Sequence, residues 1–477
     1  MNAELWTAFE AAAATGGALC ARGGDPDRWV AEEWAAGGLS IDTRTLAPGE
    51  MFVALSDARD GHDFVASAFE RGASAALVAR APSNAPDGAP LLVVPDTLEG
   101  LRDLARAARL RNFGRRIAVT GSVGKTSTKE MLRAALSGLG RVHASDRSFN
   151  NHWGVPLTLA RMPIDVDFSI FEIGMNHAGE ITPLTRLVAP HVAVITTIGD
   201  AHVEHLGSRE NIARAKAEIF SGLEKNGAAI LPLDCAQFGV LRDLAVKAGV
   251  KRVITFGESQ DADIRLEEYS GDAAGAAINA RLFGEPLAFS IGAPGRHQAM
   301  NALAVIGAVS ALGGSAARAA AGLKGLAAAA GRGAQSKARL PGGGEVTILD
   351  ESYNANPTSM AAALALLGQL TPERTGRRVA VIGDMLELGP ASHALHADLL
   401  APLLAAKVDA LYVAGSLVNY LWEKAPPAIR AGRADDARTL SRTIIGELKD
   451  GDIVMVKGSN GSKVSEIVAA IKAGASS

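Results

Sequence analysis

The segment from Thr120 to Thr126, Thr-Gly-Ser-Val-Gly-Lys-Thr, restricts the possible folds of this chain more than any other. An apolar strand pattern that begins at Ile117 leads into it, and a helical pattern follows it. In that setting glycines let backbone N–H groups surround phosphates at a helix N-terminus, while the lysine meets the outer phosphates and the threonine can hold Mg²⁺. The general pattern has glycine where Val119 stands, so this loop is a shorter variant. The segment predicts a nucleotide site on a parallel sheet.

Apolar strands alternate with helical patterns along most of the chain, which predicts an α/β fold with parallel sheets. A length of 477 residues predicts about three domains. We expect a small N-terminal α/β domain over 1–97, a central P-loop-type ATPase domain over 98–314 and a C-terminal Rossmann-like domain over 315–477. Short strands within 264–291 predict an antiparallel extension of the central sheet, and 313–333 predicts a helix followed by a hinge loop.

The composition excludes several classes of protein. The 48 basic and 51 acidic residues give no broad basic field, which argues against a nucleic-acid partner or an anionic membrane surface. Cys20 and Cys235 alone cannot build a disulfide framework or a cysteine-rich zinc site, which fits a reducing cytoplasm. The start has no signal-peptide pattern, and the apolar stretch 302–312 is too short to span a bilayer. We therefore expect a cytoplasmic protein without membrane insertion.

Candidate site residues stand where predicted strands end. Glu172 closes an apolar strand, and a carboxylate beside a phosphate loop is placed to hold a divalent ion. His202 follows the strand Val192–Ile195 and could ligate a metal or polarise a phosphate. Lys216 lies in a predicted helix and by itself is typical of a surface cation. The residues alone do not choose among these roles.

Read in order, the motifs resemble the Mur ligase family of peptidoglycan synthesis over nearly the whole chain. Within that family they are most similar to members that add D-alanyl-D-alanine to UDP-N-acetylmuramoyl-tripeptide. The segments that carry the resemblance are Asp42-Thr43-Arg44, Asp60-Gly61-His62-Asp63-Phe64, Asn150-Asn151, Asn176-His177-Ala178-Gly179-Glu180-Ile181, Ser352-Tyr353-Asn354-Ala355-Asn356-Pro357, Gly383-Asp384-Met385-Leu386-Glu387-Leu388-Gly389 and Lys457-Gly458-Ser459.

The resemblance implies a division of labour among the three domains. The first would hold the UDP part of the precursor, the second would bind ATP, and the third would close over ATP and help to bind the dipeptide. The expected cofactors are ATP and Mg²⁺, the expected partners are the two small-molecule substrates, and we expect a monomer. A terminal carboxylate would become an acyl phosphate, which the dipeptide amine then attacks.

The resemblance also implies a role for each matched residue. Lys125, Lys216 and His202 would be catalytic, and the metal sites would use Thr126, Glu172, His202 and Lys216, with Lys216 carried as a carbamate. ATP would be bound by Gly121, Ser122, Gly124, Lys125, Thr126, Ser127, Asn301, Arg332 and Glu351, the last of which stands where the family usually has aspartate. The two other substrates would be bound by Asp42, Thr43, Arg44, Asp60, Gly61, His62, Asn150, Asn151, Asn176, His177, Asn354 and Asn356.

Two other kinds of function compete with this interpretation. One is a neighbouring ligase, such as the enzyme that adds the third residue or a folylpolyglutamate synthase; Asn176-His177 together with 352–357 argues against it. The other is a P-loop regulatory switch or a nucleotide-binding scaffold. The chain has no Asn-Lys-x-Asp segment for reading guanine, which argues against a GTPase switch. The retained Glu172, His202 and Lys216 argue against a scaffold.

Overall fold

Three larger β-sheets, one in each of three consecutive units, organise the chain in the computed structural model, which describes residues 4–22, 34–272 and 274–474. The α/β class with parallel sheets, expected from the sequence, is confirmed. Among the described residues, no helix combines the length and apolar character needed to cross a lipid bilayer.

The first unit is built on a five-stranded sheet in the order β2-β7-β6-β5-β4, in which only the β2–β7 pair is antiparallel. Its apolar strand runs are buried on both faces, as expected for parallel strands. The elements are β1 (Trp6–Thr7), α1 (Ala8–Thr15), β2 (Ala18–Ala21), β3 (Ala35–Ala36), β4 (Gly38–Ser40), β5 (Glu50–Val53), α2 (Val65–Glu70), β6 (Ala75–Val78), β7 (Pro90–Val93) and the linking helix α3 (Thr97–Arg111).

The second unit carries a nine-stranded sheet in the order β16-β15-β14-β13-β12-β11-β8-β10-β9. Its parallel part ends at β14, and β14 to β16 form the antiparallel extension that the sequence predicts. The elements are β8 (Arg115–Thr120), α4 (Lys125–Ser137), β9 (Val142–Ala144), α5 (Gly154–Ala160), β10 (Phe168–Glu172), α6 (Ile181–Val188), β11 (Val192–Ile195), α7 (Val203–Leu206), α8 (Arg209–Ala217), β12 (Ala228–Pro232), α9 (Phe238–Lys247), β13 (Arg252–Gly257), β14 (Ile264–Asp272), β15 (Gly275–Leu282), β16 (Glu285–Ile291), α10 (Arg296–Ala311) and α11 (Ala316–Leu323).

The third unit has a six-stranded sheet in the order β17-β18-β22-β19-β20-β21, parallel except for the β17–β18 pair. This is the Rossmann-like layout expected for the end of the chain. The elements are β17 (Ala334–Arg339), β18 (Glu345–Glu351), α12 (Pro357–Gln369), β19 (Arg378–Gly383), α13 (Ser392–Ala397), α14 (Leu400–Ala405), β20 (Ala410–Ala414), α15 (Asn419–Lys424), β21 (Arg430–Ala434), α16 (Ala437–Thr443), β22 (Ile453–Lys457) and α17 (Ser465–Gly474).

The helix α11 belongs with the second unit. It packs against α4, α10 and β16, and its buried residues Ala319, Ala320 and Leu323 join the core of the central sheet. The expected start of the C-terminal domain at residue 315 falls before this helix, although the apolar face of α11 is buried on the central unit. We propose to move that boundary into the loop between Leu323 and Ala334.

The sequence patterns did not lead us to predict β12, β13, β17 or β21. β17 and β21 are sheet edges rich in polar residues, which weakens the apolar signal of a strand. β12 starts with two alanines and ends at a proline. β13, by contrast, contains Val253, Ile254 and Thr255, whose branched side chains would have revealed it.

Candidate functional site

The phosphate loop opens into a cavity of about 300 Å³ between the second and third units. The loop follows β8, from which the chain continues to β9 on one side of the sheet, whereas from the neighbouring strand β11 it continues to β12 on the other side. Such a switch point at the carboxyl ends of parallel strands is where α/β folds bind ligands. The third unit covers this edge with residues that include Arg332, Glu351 and Lys457.

Glycine is required at two positions of the loop. Gly121 has a φ of +149°, and a Cβ there would lie 1.9 Å from Thr196 Oγ1. Gly124 has a φ of +89°, and a Cβ there would lie 2.6 Å from Asn301 Oδ1. Both positions are strained for residues with a side chain. The loop therefore keeps its backbone close to its neighbours while α4 begins at Lys125 with its N-terminus at the cavity.

Lys125 lies at the cavity wall and donates a hydrogen bond from Nζ to the carbonyl of Gly121 at 2.7 Å. Burial lowers the pKa of Lys125, the Glu172 carboxylate opposes that shift, and the Arg332 charge adds to it. The two cations, Lys125 and Arg332, come from different units and line the same space. The cavity is therefore suited to an anion with several charges, such as a polyphosphate.

Glu172 ends β10 and is only 2% exposed. Its Oε2 accepts a hydrogen bond from Thr126 Oγ1 at 2.8 Å, and its Oε1 accepts bonds from Ser148 Oγ at 2.8 Å and Asn150 Nδ2 at 2.7 Å. Burial alone would raise the pKa of Glu172, but Lys125, Arg332 and these hydrogen bonds lower it on balance. An ionised carboxylate beside a hydroxyl offers the hard oxygen ligands that Mg²⁺ prefers.

Asn150 therefore acts on the carboxylate as well as lining the cavity. No group of three or more His, Cys, Asp or Glu side chains able to hold a metal occurs in the part of the chain that the structure describes. A Mg²⁺ ion at Glu172 would need oxygens from phosphate and water to complete its shell, which is its usual mode at nucleotide sites. The residues present fit that mode.

Lys216, in α8, is 1% exposed. Within the described residues its ammonium makes no hydrogen bond or ion pair, and Lys125 is a nearby positive charge. Burial and then Lys125 lower the pKa of Lys216 well below its ordinary value. The interpretation of Lys216 as a surface cation, made from the residue type alone, is wrong because α8 is packed with this side facing inward.

The third unit supplies a second charged group. Lys457 ends β22 and is buried, with Nζ 3.0 Å from the carbonyl oxygen of Asn354 and 3.4 Å from Glu351 Oε2. Burial lowers the pKa of Lys457 and Glu351 opposes that shift. Nearby, the Arg332 guanidinium lies 3.9 Å from the centre of the Tyr353 ring. These contacts fix the wall that faces the phosphate loop.

A second cavity, of about 560 Å³, lies between the first and second units. Asp42, Thr43 and Arg44 line it from the first unit, and Asp42 pairs with Arg44 at 2.7 Å. The second unit contributes a wall of basic and aromatic side chains that includes Arg147, Trp153 and Arg161. A large ligand that carries negative charge and a flat ring fits such a lining.

Two protein-family models match this chain, one in the second unit and one in the third. The family model described as the Mur ligase middle domain matches residues 119–309, and the model described as the Mur ligase, glutamate ligase domain matches residues 338–460. The chain is 37% identical to UDP-N-acetylmuramoyl-tripeptide–D-alanyl-D-alanine ligase of Bacillus subtilis (strain 168), with 92% of this chain and 93% of the relative covered. The chain belongs to the Mur ligase family.

Solved structures of the Mur ligase family agree over the whole fold. A crystal structure of MurF from Acinetobacter baumannii has a TM-score of 0.83 at 29% identity and covers 98% of this chain and 99% of that one. A crystal structure of MurF ligase from Thermotoga maritima in complex with ADP has a TM-score of 0.76 at 25% identity and covers 92% of this chain and 98% of that one. The chain is accordingly an ATP-dependent ligase.

The predicted site residues that belong to the second and third units lie either in the wall of the nucleotide cavity or close to it, and those of the first unit lie at or near the second cavity. Several line the nucleotide cavity directly, among them Ser122, Gly124, Lys125, Ser127, Asn150, Glu172, Asn176, His202, Asn301, Arg332, Glu351, Asn354 and Asn356. Others act from behind the wall. Gly121 allows the conformation of the phosphate loop, and Thr126 donates a hydrogen bond to the Glu172 carboxylate. Asn356 also caps α12. Asn151 Oδ1 accepts a hydrogen bond from the Gly154 N–H at 2.9 Å.

Two predicted substrate ligands, Asp60 and His62, are held by contacts within the first unit. His62 is buried, with Nδ1 2.6 Å from Asp60 Oδ1 and Nε2 accepting the Ala79 N–H at 2.9 Å. Asp60 also binds Arg80, and that guanidinium, followed by His62, holds its pKa well below the usual range. Of this turn, Gly61 reaches the second cavity. Asp60 and His62 thus support the turn, and their direct contact with a ligand stays a prediction.

His177 is likewise outside the nucleotide cavity wall. Its side chain is exposed, its Nδ1 lies 3.1 Å from Glu180 Oε1, and its ring centre is 4.7 Å from that of His205. Sequence reasoning in turn missed His297 and Lys457 as cavity residues, and Arg147, Trp153 and Arg161 as residues of the second cavity. The Lys457-Gly458-Ser459 segment after a strand was the available signal for Lys457.

Proposed function

We propose that this chain joins D-alanyl-D-alanine to UDP-N-acetylmuramoyl-tripeptide, using ATP, and releases UDP-N-acetylmuramoyl-pentapeptide, ADP and phosphate. The observation that carries the proposal is the likeness to relatives named for this reaction along all three units. The two cavities support it, because one is suited to a nucleotide and the other to a large anionic ligand with a flat ring. With the UDP part of the precursor bound in the second cavity, the tripeptide would extend toward the nucleotide cavity.

The chemistry requires activation of a carboxylate, which has no good leaving group. Lys125 and Arg332 would stabilise the negative charge that develops as the γ-phosphoryl group moves to the tripeptide carboxylate. The dipeptide amine would then attack the acyl phosphate and expel phosphate. The wall formed by Tyr353, Asn354 and Lys457 would exclude water, which would otherwise hydrolyse the acyl phosphate.

We propose that Thr126, Glu172 and His202 serve Mg²⁺, which when bound supplies positive charge to the phosphate oxygens. Lys216 fits a carbamate for an electrostatic reason. Its lowered pKa favours the neutral amine, which is the form that adds CO₂. The product would carry a negative charge and would replace the repulsion from Lys125 by attraction. A carbamate would thus provide the oxygen ligands that a second Mg²⁺ needs.

We also propose that the enzyme works as a monomer in the cytoplasm. Residues of one chain line both cavities, so one copy contains every group to which the proposal assigns a role.

The test is phosphate release by the purified protein with ATP and Mg²⁺, with the UDP-linked tripeptide and D-alanyl-D-alanine added separately and together. We expect release only with both, and a UDP-linked pentapeptide in the mass spectrum. Lys125→Ala should abolish release in a folded protein, whereas Lys247→Ala, which changes an exposed lysine in α9, should not. Release that is indifferent to both peptides would instead indicate a switch or a scaffold.

The same assay separates this proposal from a neighbouring ligase. Single amino acids offered in place of the dipeptide, with a UDP-linked dipeptide as acceptor, should give no product. If the protein ligates a single amino acid to the UDP-linked dipeptide faster than it ligates D-alanyl-D-alanine to the UDP-linked tripeptide, the chain is instead the ligase that adds the third residue.

A further inference from the structure

Glu387 connects the third unit to His202 of the second. Its Oε2 lies 2.8 Å from His202 Nδ1, and this is a contact across 185 positions of sequence. The Glu204 N–H donates a hydrogen bond to the Glu387 carbonyl at 3.3 Å, so backbone and side chain meet at the same place. Glu387 belongs to the segment from Gly383 to Gly389, to which the proposed function assigns no role.

The backbone is held in an uncommon conformation on both sides of this contact. His202 and Glu387 each have a φ of 61°, in the left-handed region that residues with side chains seldom adopt. A Cβ at Gly389 would lie 3.3 Å from the Glu204 Cα, which means that the two loops touch. Such conformations persist only where the surroundings enforce them.

The segment that carries Glu387 is fixed by the rest of the third unit. The Met385 N–H donates to His396 Nε2 at 2.9 Å, and the Leu386 N–H donates to Ser459 Oγ at 2.9 Å. Asp384 Oδ1 accepts the Val418 N–H at 2.8 Å. Leu388 is buried in the core of this unit. Glu387 is therefore presented by a rigid support that moves with the third unit.

The contact determines the direction and tautomer of the imidazole. Glu387 Oε2 lies within hydrogen-bond distance of His202 Nδ1, and because a carboxylate oxygen can only accept, the ring proton in this contact is on Nδ1. The other nitrogen, Nε2, then carries a free lone pair that can accept a proton or bind a metal ion, and no described residue bonds to it. The ring lines the nucleotide cavity. A carboxylate on the second nitrogen is the usual means of orienting a histidine that serves a metal.

We propose that Glu387 is a positioning residue, which holds His202 toward the nucleotide cavity only while the third unit is docked on the second. This rests on the proposed function for the role of His202. Glu387 is 49% exposed and His202 is 20% exposed, so the pair adds little to stability. The contact instead fixes the orientation of His202. Because Glu387 belongs to the third unit and His202 to the second, that orientation depends on the position of the third unit.

The experiment compares Glu387→Ala, Glu387→Gln and Glu423→Ala in the full-length enzyme. Glu423 is an exposed glutamate on α15 of the same unit and serves as the matched control. Two readouts need no peptide substrate. One is the ¹⁵N spectrum of labelled histidine rings in the ligand-free protein, with the His202 signal assigned from His202→Gln. The other is the Mg²⁺ concentration at half-saturation for binding of a non-hydrolysable ATP analogue.

We expect Glu387→Ala to move the His202 signal from the Nδ1-protonated form to a mixture of tautomers and to raise the half-saturating Mg²⁺ concentration about tenfold. Glu387→Gln should restore much of both, since its amide oxygen still accepts the Nδ1 proton. Glu423→Ala should change neither. In the ligation assay kcat should fall while KM for the UDP precursor stays constant.

An unchanged His202 signal and Mg²⁺ dependence in Glu387→Ala would overturn the proposal. Failure of the wild-type enzyme to ligate the two peptides would overturn the proposed function alone, because the two binding and spectral readouts do not involve those substrates.

Discussion

Single residues in the site differ most in how their charge is compensated. Glu172 is buried but surrounded by donors and cations, which keep its pKa low. Lys457 is buried beside Glu351, whose carboxylate partly compensates its positive charge. Lys216 has neither a hydrogen bond nor an ion pair within the described residues, and a like charge, Lys125, adds to the cost of burying it. A charge left in this state destabilises the folded protein, so its retention points to chemistry.

This imbalance predicts a pH dependence of stability. Because folding lowers the pKa of Lys216, the unfolded chain binds more protons in the window between that lowered pKa and the ordinary lysine value, and stability rises with pH there. Lys216→Met should be more stable than wild type at the low end of this window, and the difference should shrink by up to about 1.4 kcal/mol per pH unit as pH rises. Midpoints of thermal unfolding in CO₂-free buffer at pH 7, 8 and 9 check this.

The exposed Lys247→Met is the control for loss of a lysine and should follow the wild-type curve. Parallel pH curves for Lys216→Met and wild type would mean that Lys216 keeps an ordinary pKa in the folded protein. Lys216→Met should also lose ligation, since methionine can form no carbamate.

Among the elements, the short helix α5 of the second unit packs against the first unit. All seven of its residues are buried, and the Trp6 indole Nε1 donates to the carbonyl at its last residue, Ala160, at 2.8 Å. Directly after the helix, Arg161 Nε donates to the Leu39 carbonyl at 2.6 Å, and its guanidinium lies 5.9 Å from the Phe149 ring centre. Burial lowers the pKa of Arg161, against the effect of Glu50. The end of α5 thus anchors the wall of the second cavity.

We therefore expect Arg161→Ala to raise KM for the UDP precursor about tenfold, because it leaves the Leu39 carbonyl without its donor and removes a cation from the cavity. KM for ATP should stay within about twofold, since the nucleotide cavity is lined by other residues. Steady-state kinetics with one substrate varied at a time measures both. Arg242→Ala, on the exposed side of α9, should leave both constants unchanged. An equal rise in both constants would instead indicate general loosening of the fold.

In the whole molecule, each unit has its own larger sheet, but the first two units share a hydrophobic core. One hydrophobic core runs continuously from the first unit into the second and includes Trp6, Leu39, Leu104, Leu157 and Phe171. The third unit has cores of its own on the two faces of its sheet, joined from the second unit by Val203. The first two units should unfold together and the third by itself.

Calorimetry should accordingly resolve two transitions in the ligand-free protein. Because we propose that Mg²⁺ and ADP bind between the second and third units, we expect them to raise both midpoints and bring them together. At a hundred times the dissociation constant the stabilisation is about 2.7 kcal/mol. Lys125→Ala should show the two ligand-free transitions without the shift. A separate transition for the first unit, or a shift confined to one transition, would contradict this division.

Local patterns in the sequence were enough for the α/β class, the phosphate loop, the carboxylate at the end of β10 and the order of the motifs. They report what a strand end or a glycine-rich turn requires within a few residues. Resemblance to a family extended this to a list of expected ligand-binding residues, and most of the residues on that list line the nucleotide cavity.

Only the tertiary structure decided which of those residues line a cavity and which support the cavity wall from behind. His62 is turned into the fold by Asp60 and Ala79, Lys216 is enclosed by the packing of α8, and Glu387 meets His202 from another unit. Burial and charge compensation depend on neighbours that are distant in sequence. No local pattern contains that information, because it arises when the helices pack on the sheets and the third unit docks on the second.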